Sequence, residues 1–514
     1  METSRFAYDA VAYPSRAQSH THPERLAALA LAYGLECTPV STARILEIGC
    51  GDASHLMAIA AAFPGSHCTG LDLSGDAIRR GQGFKRETGL ENIELRIADV
   101  SLPGIVQGSF DYILCHGLYA WVPKGAREGI LRLCRDHLAP DGLALVSYNA
   151  LPGACVRREL REMLRWHVRG LDSTEDRLVE SRALVEFLEA ATLDNDEIRE
   201  AFRAELLSAK KKAPGFFFHD EMSEHYAPVY FHEFMSEASR HDLQFVGDAD
   251  PAEMLLSSLP AETRQIIQAL ATDRVEQQQY FDFIVSRRFR HTILCRTGRS
   301  VADELQIDGL QRCWFSSLAR VAHPDTLRDP NAVTVFESSG GLRLQTDFLP
   351  GKLALAALAA CGPRRLSFIA LARHVEETLT SLGHGPIWTA ETATSVVRFL
   401  IEACTARVAT IHGAVPDVTE HPGERPVAFS VARVQASTGD VVTSAYHHNI
   451  RLEERWTREL LLRADGTRTR SELQSELDVL ARSANATDAA AWPALRDNLP
   501  EAFAHLARQG LIIR

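Results

Sequence analysis

A glycine-rich turn between two apolar runs constrains the fold of this chain more than any other feature. The apolar run at residues 44–48 leads into Gly49-Cys50-Gly51, a helical pattern follows, and a second apolar run ends at Asp72. This order predicts a βαβ unit that binds a nucleoside at the carboxyl edge of a parallel sheet. Gly49 and Gly51 let the backbone approach a ligand, and Asp72 can accept hydrogen bonds from both ribose hydroxyls.

The spacing of the glycines separates two classes of nucleotide cofactor. A dinucleotide fingerprint requires G-x-G-x-x-G, whose pyrophosphate lies on the helix N-terminus. Here Glu47 stands in place of the first glycine in one frame, and Ser54 in place of the third in the other. A carboxylate at Glu47 disfavours a pyrophosphate. It suits S-adenosylmethionine, which carries an ammonium and a sulfonium instead.

Motif E-x-G-x-G and three later landmarks resemble those of the class I methyltransferases. A third strand is predicted to close at residues 97–99, where the family places an acid near the adenine amino group. Residues 110–116 and 142–148 are predicted to be the fourth and fifth strands. The resemblance implies S-adenosylmethionine as the cofactor. It also implies that the cofactor contacts Glu47, Gly49, Cys50, Gly51, Asp72, Leu73, Asp99, Val100 and His116.

At 514 residues the chain is long enough for about three domains. We expect an α/β fold of the class I methyltransferase type, Rossmann-like with a seven-stranded, mostly parallel sheet, a helical insertion and a C-terminal α+β, winged-helix-like region. A separate helical domain after residue 150 is the alternative to an insertion. The predicted segments are the cofactor-binding core at 1–153, a helical insertion or regulatory region that also dimerises at 154–241, the last two strands at 242–297, a connector at 298–349, and the mostly helical C-terminal domain at 350–514.

Composition and charge narrow the class of protein. A net charge of −12 argues against a general nucleic-acid binder, which needs a basic surface. We find no signal peptide and no apolar run long enough to span a membrane. Ten cysteines without a C-x-x-C pair indicate reduced thiols. We therefore expect a cytoplasmic protein, and no metal site, since the histidines between 219 and 241 form no H-E-x-x-H motif.

The N-terminal segment leads into a predicted helix that ends near Gly34. Thr21 can cap this helix and Pro23 lies in its first turn. Such a segment often closes over the cofactor in methyltransferases, and we predict that it does so here.

Several motifs sharpen the resemblance to one group of bacterial methyltransferases. They lie at residues 13–26, 116–123, 148–153, 228–234 and 279–290. Together these segments resemble bacterial methyltransferases with a methyltransferase regulatory domain, such as the rickettsial protein lysine methyltransferases. The resemblance covers roughly residues 6–297. It implies methylation of protein lysines, a homodimer built through the helical region, and an open cleft for a large substrate.

Two other functions remain open from the sequence. One is a methyltransferase that acts on a small amine, hydroxyl or natural-product intermediate. The other is an inactive protein that binds the cofactor for regulation. The length of the insertion and of the C-terminal region favours a macromolecular substrate.

Candidates for contacts with the methyl acceptor follow the fourth and fifth strands, at the sheet edge that faces the methyl group in this fold. Tyr119 and Trp121 could hold an ammonium by cation–π contact. His116 could act as a base or bond a backbone carbonyl. Tyr148 and Asn149 could hydrogen-bond the amine, and Trp121 could instead only pack its loop.

Overall fold

A seven-stranded sheet organises the N-terminal half of the chain. The computed structural model describes residues 9, 11–191, 197–383, 388–482, 492–493 and 496–514. The strand order is β3-β2-β1-β4-β5-β7-β6, and β7 runs antiparallel to both of its neighbours. This confirms the predicted class I methyltransferase fold. The strands are β1 Arg44–Ile48, β2 His67–Asp72, β3 Ile93–Ile97, β4 Phe110–Cys115, β5 Leu138–Asn149, β6 Leu243–Asp248 and β7 Phe289–Arg296.

Helices cover both faces of the sheet, so its central strands are apolar on both sides. In β1, Ile45 joins the apolar cluster on one face while Leu46 and Ile48 join the cluster on the other. This alternation follows from the two-residue repeat of a strand. The surrounding helices are α1 Pro23–Ala32, α2 Ser54–Ala62, α3 Gly75–Thr88 and α4 Lys124–His137.

In the described part of the chain, five helices lie between β5 and β6. The first four enclose an apolar core of their own, which includes Leu160, Leu164 and Phe217. The fifth packs on the sheet through Phe231 and Phe234. The helices are α5 Cys155–His167, α6 Thr174–Ala191, α7 Glu197–Lys210, α8 Pro214–Met222 and α9 Phe231–Ser239.

Helices and short strands connect the last strands of the large sheet to the C-terminal region. Two helices, α10 Ala261–Leu270 and α11 Arg274–Val285, lie between β6 and β7. Two three-stranded sheets follow, ordered β11-β10-β9 and β12-β8-β13. The elements are α12 Ile307–Gln311, β8 Trp314–Ser316, β9 Arg320–Val321, β10 Thr334–Glu337, β11 Arg343–Thr346, α13 Leu349–Cys361, β12 Leu366–Ser367, α14 Phe368–Ser381, α15 Ala390–Thr405 and β13 Thr410–His412.

The C-terminal region combines helices with a short hairpin and packs directly on the methyltransferase core. One apolar cluster runs from α1 and α2 through the large sheet to the last helix. A buried charge network also joins the two parts, because Glu24 Oε1 of α1 lies 3.2 Å from Arg365 Nη2 and 3.0 Å from His412 Nδ1. The elements are α16 Ser430–Thr438, β14 Val441–Thr443, β15 Asn449–Arg451, α17 Arg455–Arg463, α18 Arg470–Arg482 and α19 Leu499–Arg508.

None of the helices in the described ranges combines the length and the apolar character needed to cross a membrane.

Candidate cofactor and acceptor cleft

A cleft of about 1370 Å³ opens at the carboxyl ends of the central strands. The glycine turn after β1 and the end of β2 form one side of the cleft. The helical insertion forms the far side, through residues such as Arg157, Phe218 and Asp220. Residues 11–22, which we call the strap, cross between these sides and also line the cleft. Ligand sites of open α/β sheets lie at this edge.

The glycine turn lies close to the strap at Gly51. Gly49 and Gly51 have φ angles of +74° and +58°, in the left-handed region that favours glycine. A Cβ atom on Gly51 would lie 2.8 Å from Ser15 Oγ of the strap. The turn is held to β2 because the amides of Gly49 and Cys50 both donate to the Leu71 carbonyl. The backbone therefore forms part of the wall of the cleft.

Asp72 lies at the end of β2, and its carboxylate holds the glycine turn in place. Its Oδ2 accepts a hydrogen bond from Gly51 N and its Oδ1 accepts one from Ser74 N, each at 2.8 Å. Each carboxylate oxygen keeps a second lone pair, so two ribose hydroxyls can still bind. Burial raises the pKa of Asp72, although these backbone hydrogen bonds act in the opposite direction.

Glu47 is a buried carboxyl group at the floor of the cleft. Among the described residues its Oε2 has no hydrogen-bond partner. Burial raises the pKa of Glu47 well above its usual range, and the nearby Asp72 and Asp52 raise it further. A buried, unpartnered acid beside a ligand site fits a cationic ligand and repels a pyrophosphate. The ammonium and sulfonium of S-adenosylmethionine meet this requirement.

The remaining predicted cofactor contacts also line the cleft. Leu73 is about half exposed, at 49%, and offers an apolar surface on which a base can lie. Asp99 follows the end of β3 and its Oδ1 accepts from Ser101 N at 2.9 Å. All nine predicted positions are brought to one cavity: Glu47, Gly49, Cys50, Gly51, Asp72, Leu73, Asp99, Val100 and His116.

His116 lies in the cleft at the end of β4 and is held by the neighbouring strand. Its Nδ1 is 2.9 Å from Ser147 Oγ, which accepts from Gly117 N at 2.8 Å. The ring stacks on His291 with 5.6 Å between the ring centroids. Burial lowers the pKa of His116 to about 4, and nearby His20 lowers it further. The imidazole is therefore uncharged at neutral pH. Its partner is a side-chain hydroxyl rather than the backbone carbonyl considered from the sequence.

Asn149 and Trp121, two of the predicted acceptor contacts, also line the cleft. Asn149 is 95% buried, and among the described residues its Oδ1 has no hydrogen-bond partner. Trp121 already carries a cation on its ring, because the guanidinium carbon of Arg161 lies 4.9 Å from the ring centroid. Arg157 lies 5.4 Å from the same ring. Trp121 thus ties the core to α5.

The structure does not bring Tyr119 and Tyr148 to the cleft. Both are buried in the apolar cluster on the face of the sheet that carries α9, where they pack against Phe234. The hydroxyl of Tyr148 lies 3.0 Å from Thr292 Oγ1. Burial raises the pKa of Tyr119 to about 12. These contacts describe two core residues, and we leave both out of the acceptor site.

Side chains of His219, Ser74 and His55 hold the strap or the residue just before it. Nε2 of His219, in α8, lies 2.6 Å from the carbonyl oxygen of Val11. Just before the strap, Asp9 Oδ1 accepts from Ser74 Oγ at 2.6 Å. His55 in the first turn of α2 accepts from Gln18 N at 3.2 Å. His55 lines the cleft and was missed from the sequence, although its place four residues after Gly51 was a usable signal.

Asp248, Glu253 and His291 converge outside the cleft, with ligand atoms within 4.8 Å of one another. Arginines already balance both carboxylates. Arg290 Nη1 lies 3.7 Å from Asp248 Oδ2, and Arg287 Nη1 lies 3.1 Å from Glu253 Oε2. Burial raises the pKa of Asp248 to about 7, which weakens it further as a cation ligand. This cluster is a charge network within the core.

Three family models match successive parts of the chain. A methyltransferase domain matches residues 45–142, which include β1 to β4 and the glycine turn. A predicted methyltransferase regulatory domain matches residues 214–296. The PKMT C-terminal winged helix domain matches residues 424–511, which confirms that the C-terminal part of the chain contains a winged-helix domain.

Two uncharacterized proteins of Rickettsia prowazekii are similar in sequence. RP789 is 34% identical over 306 residues, which cover 59% of this chain and 55% of that protein. RP028 is 33% identical over 241 residues, which cover 46% of this chain and 96% of that protein. The chain thus spans little more than half the length of RP789 but nearly all of RP028.

The structure resembles PKMT2 from Rickettsia typhi, solved in complex with AdoHcy, with a TM-score of 0.84 at 24% identity. The superposition covers 98% of this chain and 100% of that one, so the fold is shared throughout. Together with the sequence matches, this places the chain in a family. It belongs to the class I S-adenosylmethionine-dependent methyltransferases that carry a methyltransferase regulatory domain and a C-terminal winged-helix domain.

Proposed function

We propose that this protein transfers methyl groups from S-adenosylmethionine to lysine side-chain amines of a protein. The cleft carries the proposal. At about 1370 Å³ it exceeds the roughly 300–1,000 Å³ of common small-ligand sites. The cofactor would take the part near Glu47 and Asp72. The rest, between the strap and the insertion, leaves room for a segment of a protein.

The neighbours in structure and domain organisation support a protein substrate. The solved structure that resembles the whole chain is named PKMT2, and the winged-helix family that matches its C-terminal region carries the same name. A small-molecule substrate needs only a lid over the core. Here 416 residues of the chain lie outside the methyltransferase domain match at 45–142.

The proposed chemistry requires a neutral amine in line with the donor. The bound cofactor supplies a sulfonium-activated methyl group. A free lysine has a pKa of about 10.4, so its ammonium must lose a proton before the nitrogen can attack. Because the displacement is a single in-line step, holding the amine in place accounts for most of the rate enhancement.

Asn149 and His116 are the residues that we assign to the amine. The unpartnered Asn149 Oδ1 can accept a hydrogen bond from an amine N–H and so orient the nitrogen lone pair. The uncharged His116 adds no positive charge that would repel an incoming ammonium. With a pKa of about 4 it is too weak a base to remove the proton from lysine, which is released to solvent through the open cleft.

We also propose that the protein forms a homodimer through its helical insertion. Large apolar side chains are exposed on α5 and α6, among them Trp166 at 66% and Phe187 at 63%. Burying such side chains against a second copy would remove apolar surface from water. Light scattering should give twice the chain mass, and Phe187→Glu should shift the protein toward a monomer. A monomeric wild type at micromolar concentration would contradict this assignment.

Labelled methyl transfer tests the substrate class. The protein and labelled S-adenosylmethionine are added to a lysate of the source cell, which is then split into protein and small-molecule fractions. We expect label in protein that survives acid hydrolysis as methyl-lysine, and no label with the Asp72→Ala variant. Label confined to small molecules would overturn the protein substrate and leave the methyltransferase assignment intact.

A further inference from the structure

A hairpin of the winged-helix region contacts a residue that lines the cleft. Its strands β14 and β15 pair from Val441 to Arg451, and the turn between them carries His447. His447 is 97% buried although it lies at a hairpin turn. Its Nε2 lies 2.8 Å from Nδ1 of His55, a residue 392 positions away that lines the cleft.

The hydrogen bonds around His55 fix which nitrogen carries the proton. His55 Nδ1 accepts from the backbone amide of Gln18 at 3.2 Å, so Nδ1 is unprotonated. His447 Nε2 must therefore be the donor in the contact between the two histidines. The proton of His55 lies on Nε2, which is 3.3 Å from Thr21 Oγ1. The imidazole of His55 thus connects the hairpin to Gln18 and Thr21, the two ends of the last turn of the strap.

Burial keeps this junction neutral. It lowers the pKa of both His55 and His447 well below the usual range, so neither ring is charged at neutral pH. The junction therefore consists of hydrogen bonds between neutral rings. It does not depend on an ion pair that salt would screen.

The backbone of the hairpin turn is held in an unfavourable conformation at this residue. His447 has a φ of +66°, in the left-handed region that residues other than glycine rarely adopt. Bonds from His447 N to Ser444 O and from Ser444 N to His448 O keep the turn in place. Strained residues of this kind cluster at functional sites. Here the residue with the positive φ is the one whose side chain contacts His55.

A second contact from the same hairpin reaches the strap itself. Asn449 Nδ2 donates to the carbonyl of Ala17 at 2.9 Å. Ala17 precedes Gln18, whose amide is held by His55. The hairpin thus fixes the strap directly at one residue and through His55 at the next. Gln18, Thr21 and His55 all line the cleft.

We infer that two residues of the β14–β15 hairpin, His447 and Asn449, support the cofactor site from the winged-helix region, and that His447 is a positioning residue that sets cofactor affinity by holding His55 and the strap. This inference rests on the proposed location of the cofactor in the cleft. Ordering the strap in advance lowers the entropy that the cofactor must lose on binding. The acceptor residues at the ends of β4 and β5 are not touched by the hairpin contacts described above.

Four variants of the protein separate this role from a structural one. His447→Gly removes the donor and relieves the backbone, since glycine accepts a positive φ. His447→Gln keeps a donor near the position of Nε2. Arg451→Ala is the matched control, because the exposed Arg451 pairs only with Asp440 of the same hairpin among the contacts described. Asp72→Ala reports whether the cofactor lies in the cleft.

The measurement is calorimetric titration with S-adenosylmethionine and with S-adenosylhomocysteine, together with hydrogen exchange at the strap amides. We expect His447→Gly to raise Kd about five- to tenfold for both ligands, the effect of one buried hydrogen bond. Exchange at Gln18 should become faster. His447→Gln should restore most of the affinity, and Arg451→Ala should leave it unchanged. In methyl transfer, His447→Gly should raise KM for the cofactor while kcat stays the same.

Three results would overturn the inference. If the Kd of His447→Gly equals that of the wild type while Asp72→Ala abolishes binding, the cofactor lies in the cleft but the hairpin does not set its affinity. If Asp72→Ala binds as tightly as the wild type, the location of the cofactor is wrong and the inference fails with it. A lower melting temperature in His447→Gly with unchanged Kd would also contradict it, as a purely structural role.

Discussion

The buried carboxyl of Glu47 predicts that cofactor binding depends on pH. Its raised pKa means that the free protein holds a proton on Glu47 at pH values where an exposed glutamate is ionised. A bound cofactor with a sulfonium and an ammonium stabilises the carboxylate and lowers this pKa. Binding therefore releases a proton between the two pKa values, and affinity rises with pH across that window.

The size of the effect follows from the linkage of one proton. Each pH unit within the window changes the binding free energy by at most about 1.4 kcal/mol, or tenfold in Kd. Between a lower and an upper pH inside this window, the Kd of the wild type should fall by up to about tenfold per pH unit. Glu47→Gln keeps the shape of the side chain but removes its ionisable proton. Its Kd should lack this slope, and at the upper pH it should be about 10- to 100-fold weaker through loss of a charged contact.

Calorimetry in two buffers of different ionisation enthalpy measures the proton directly. The wild type should release up to one proton per cofactor bound and Glu47→Gln none. Glu91→Gln, at an exposed glutamate outside the cleft, is the matched control and should behave as the wild type. A Kd that varies equally with pH in the wild type and in Glu47→Gln would refute the reasoning.

The stability of the free protein should show the opposite dependence. The folded-state pKa of Glu47 lies above its unfolded value, so its contribution to stability is complete below about pH 4.5. That contribution is lost as pH rises through the folded-state pKa. The melting temperature of the wild type should therefore fall relative to Glu47→Gln as pH increases. Cofactor affinity and stability of the free protein then change in opposite directions because of one residue.

Three further predictions concern other residues. Asp72→Ala removes the acceptor for the Gly51 and Ser74 amides as well as the ribose contact, so Kd should rise at least about 100-fold by calorimetry. A Kd within about threefold of wild type would contradict this role. Asn149→Ala should lower kcat about 10- to 100-fold and leave the cofactor Kd unchanged, because only the amine loses a partner. A change in the cofactor Kd without a change in kcat would contradict this role of Asn149. Arg290→Met removes the cation that pairs with both buried Asp282 and buried Asp248, leaving Arg287 as the arginine at Asp282, and should cost about 3–5 kcal/mol in denaturant unfolding.

The cofactor side of the cleft could be predicted because its residues follow one another along the chain. Glu47, Gly49 and Gly51 lie in a single turn, and Asp72 and Asp99 follow the ends of the next two strands. The carboxyl ends of parallel strands meet at one edge, so spacing alone places these groups together. The same apolar runs also locate the strands along the chain, including the two assigned after the insertion.

The acceptor side was harder to predict, and one error was avoidable. Adjacent residues of a strand point to opposite faces, so Tyr148 and Asn149 cannot both face the same cleft. The structure buries Tyr148 in the apolar cluster with Val146, and Asn149 lines the cleft. At the N-terminus, His22 caps α1 by accepting from Glu24 N at 3.1 Å, where Thr21 was expected to cap.

Contacts between distant parts of the chain could not be read from local patterns. Arg161 lies over Trp121 because the insertion folds back on the core, and no local pattern gives that geometry. The contact of His447 with His55 joins residues 392 positions apart. Such contacts depend on how the regions pack, which periodicity and motif spacing do not specify.

A crystal structure with bound S-adenosylhomocysteine would test the central claim most directly. We predict that its ribose hydroxyls bind Asp72, its amino group lies near Glu47, and its adenine lies between Leu73 and Asp99. The part of the cleft beside Asn149 and the insertion should remain open to solvent. A ligand bound elsewhere, or one that fills the cleft as far as the insertion, would contradict a site shared by a methyl donor and a protein lysine.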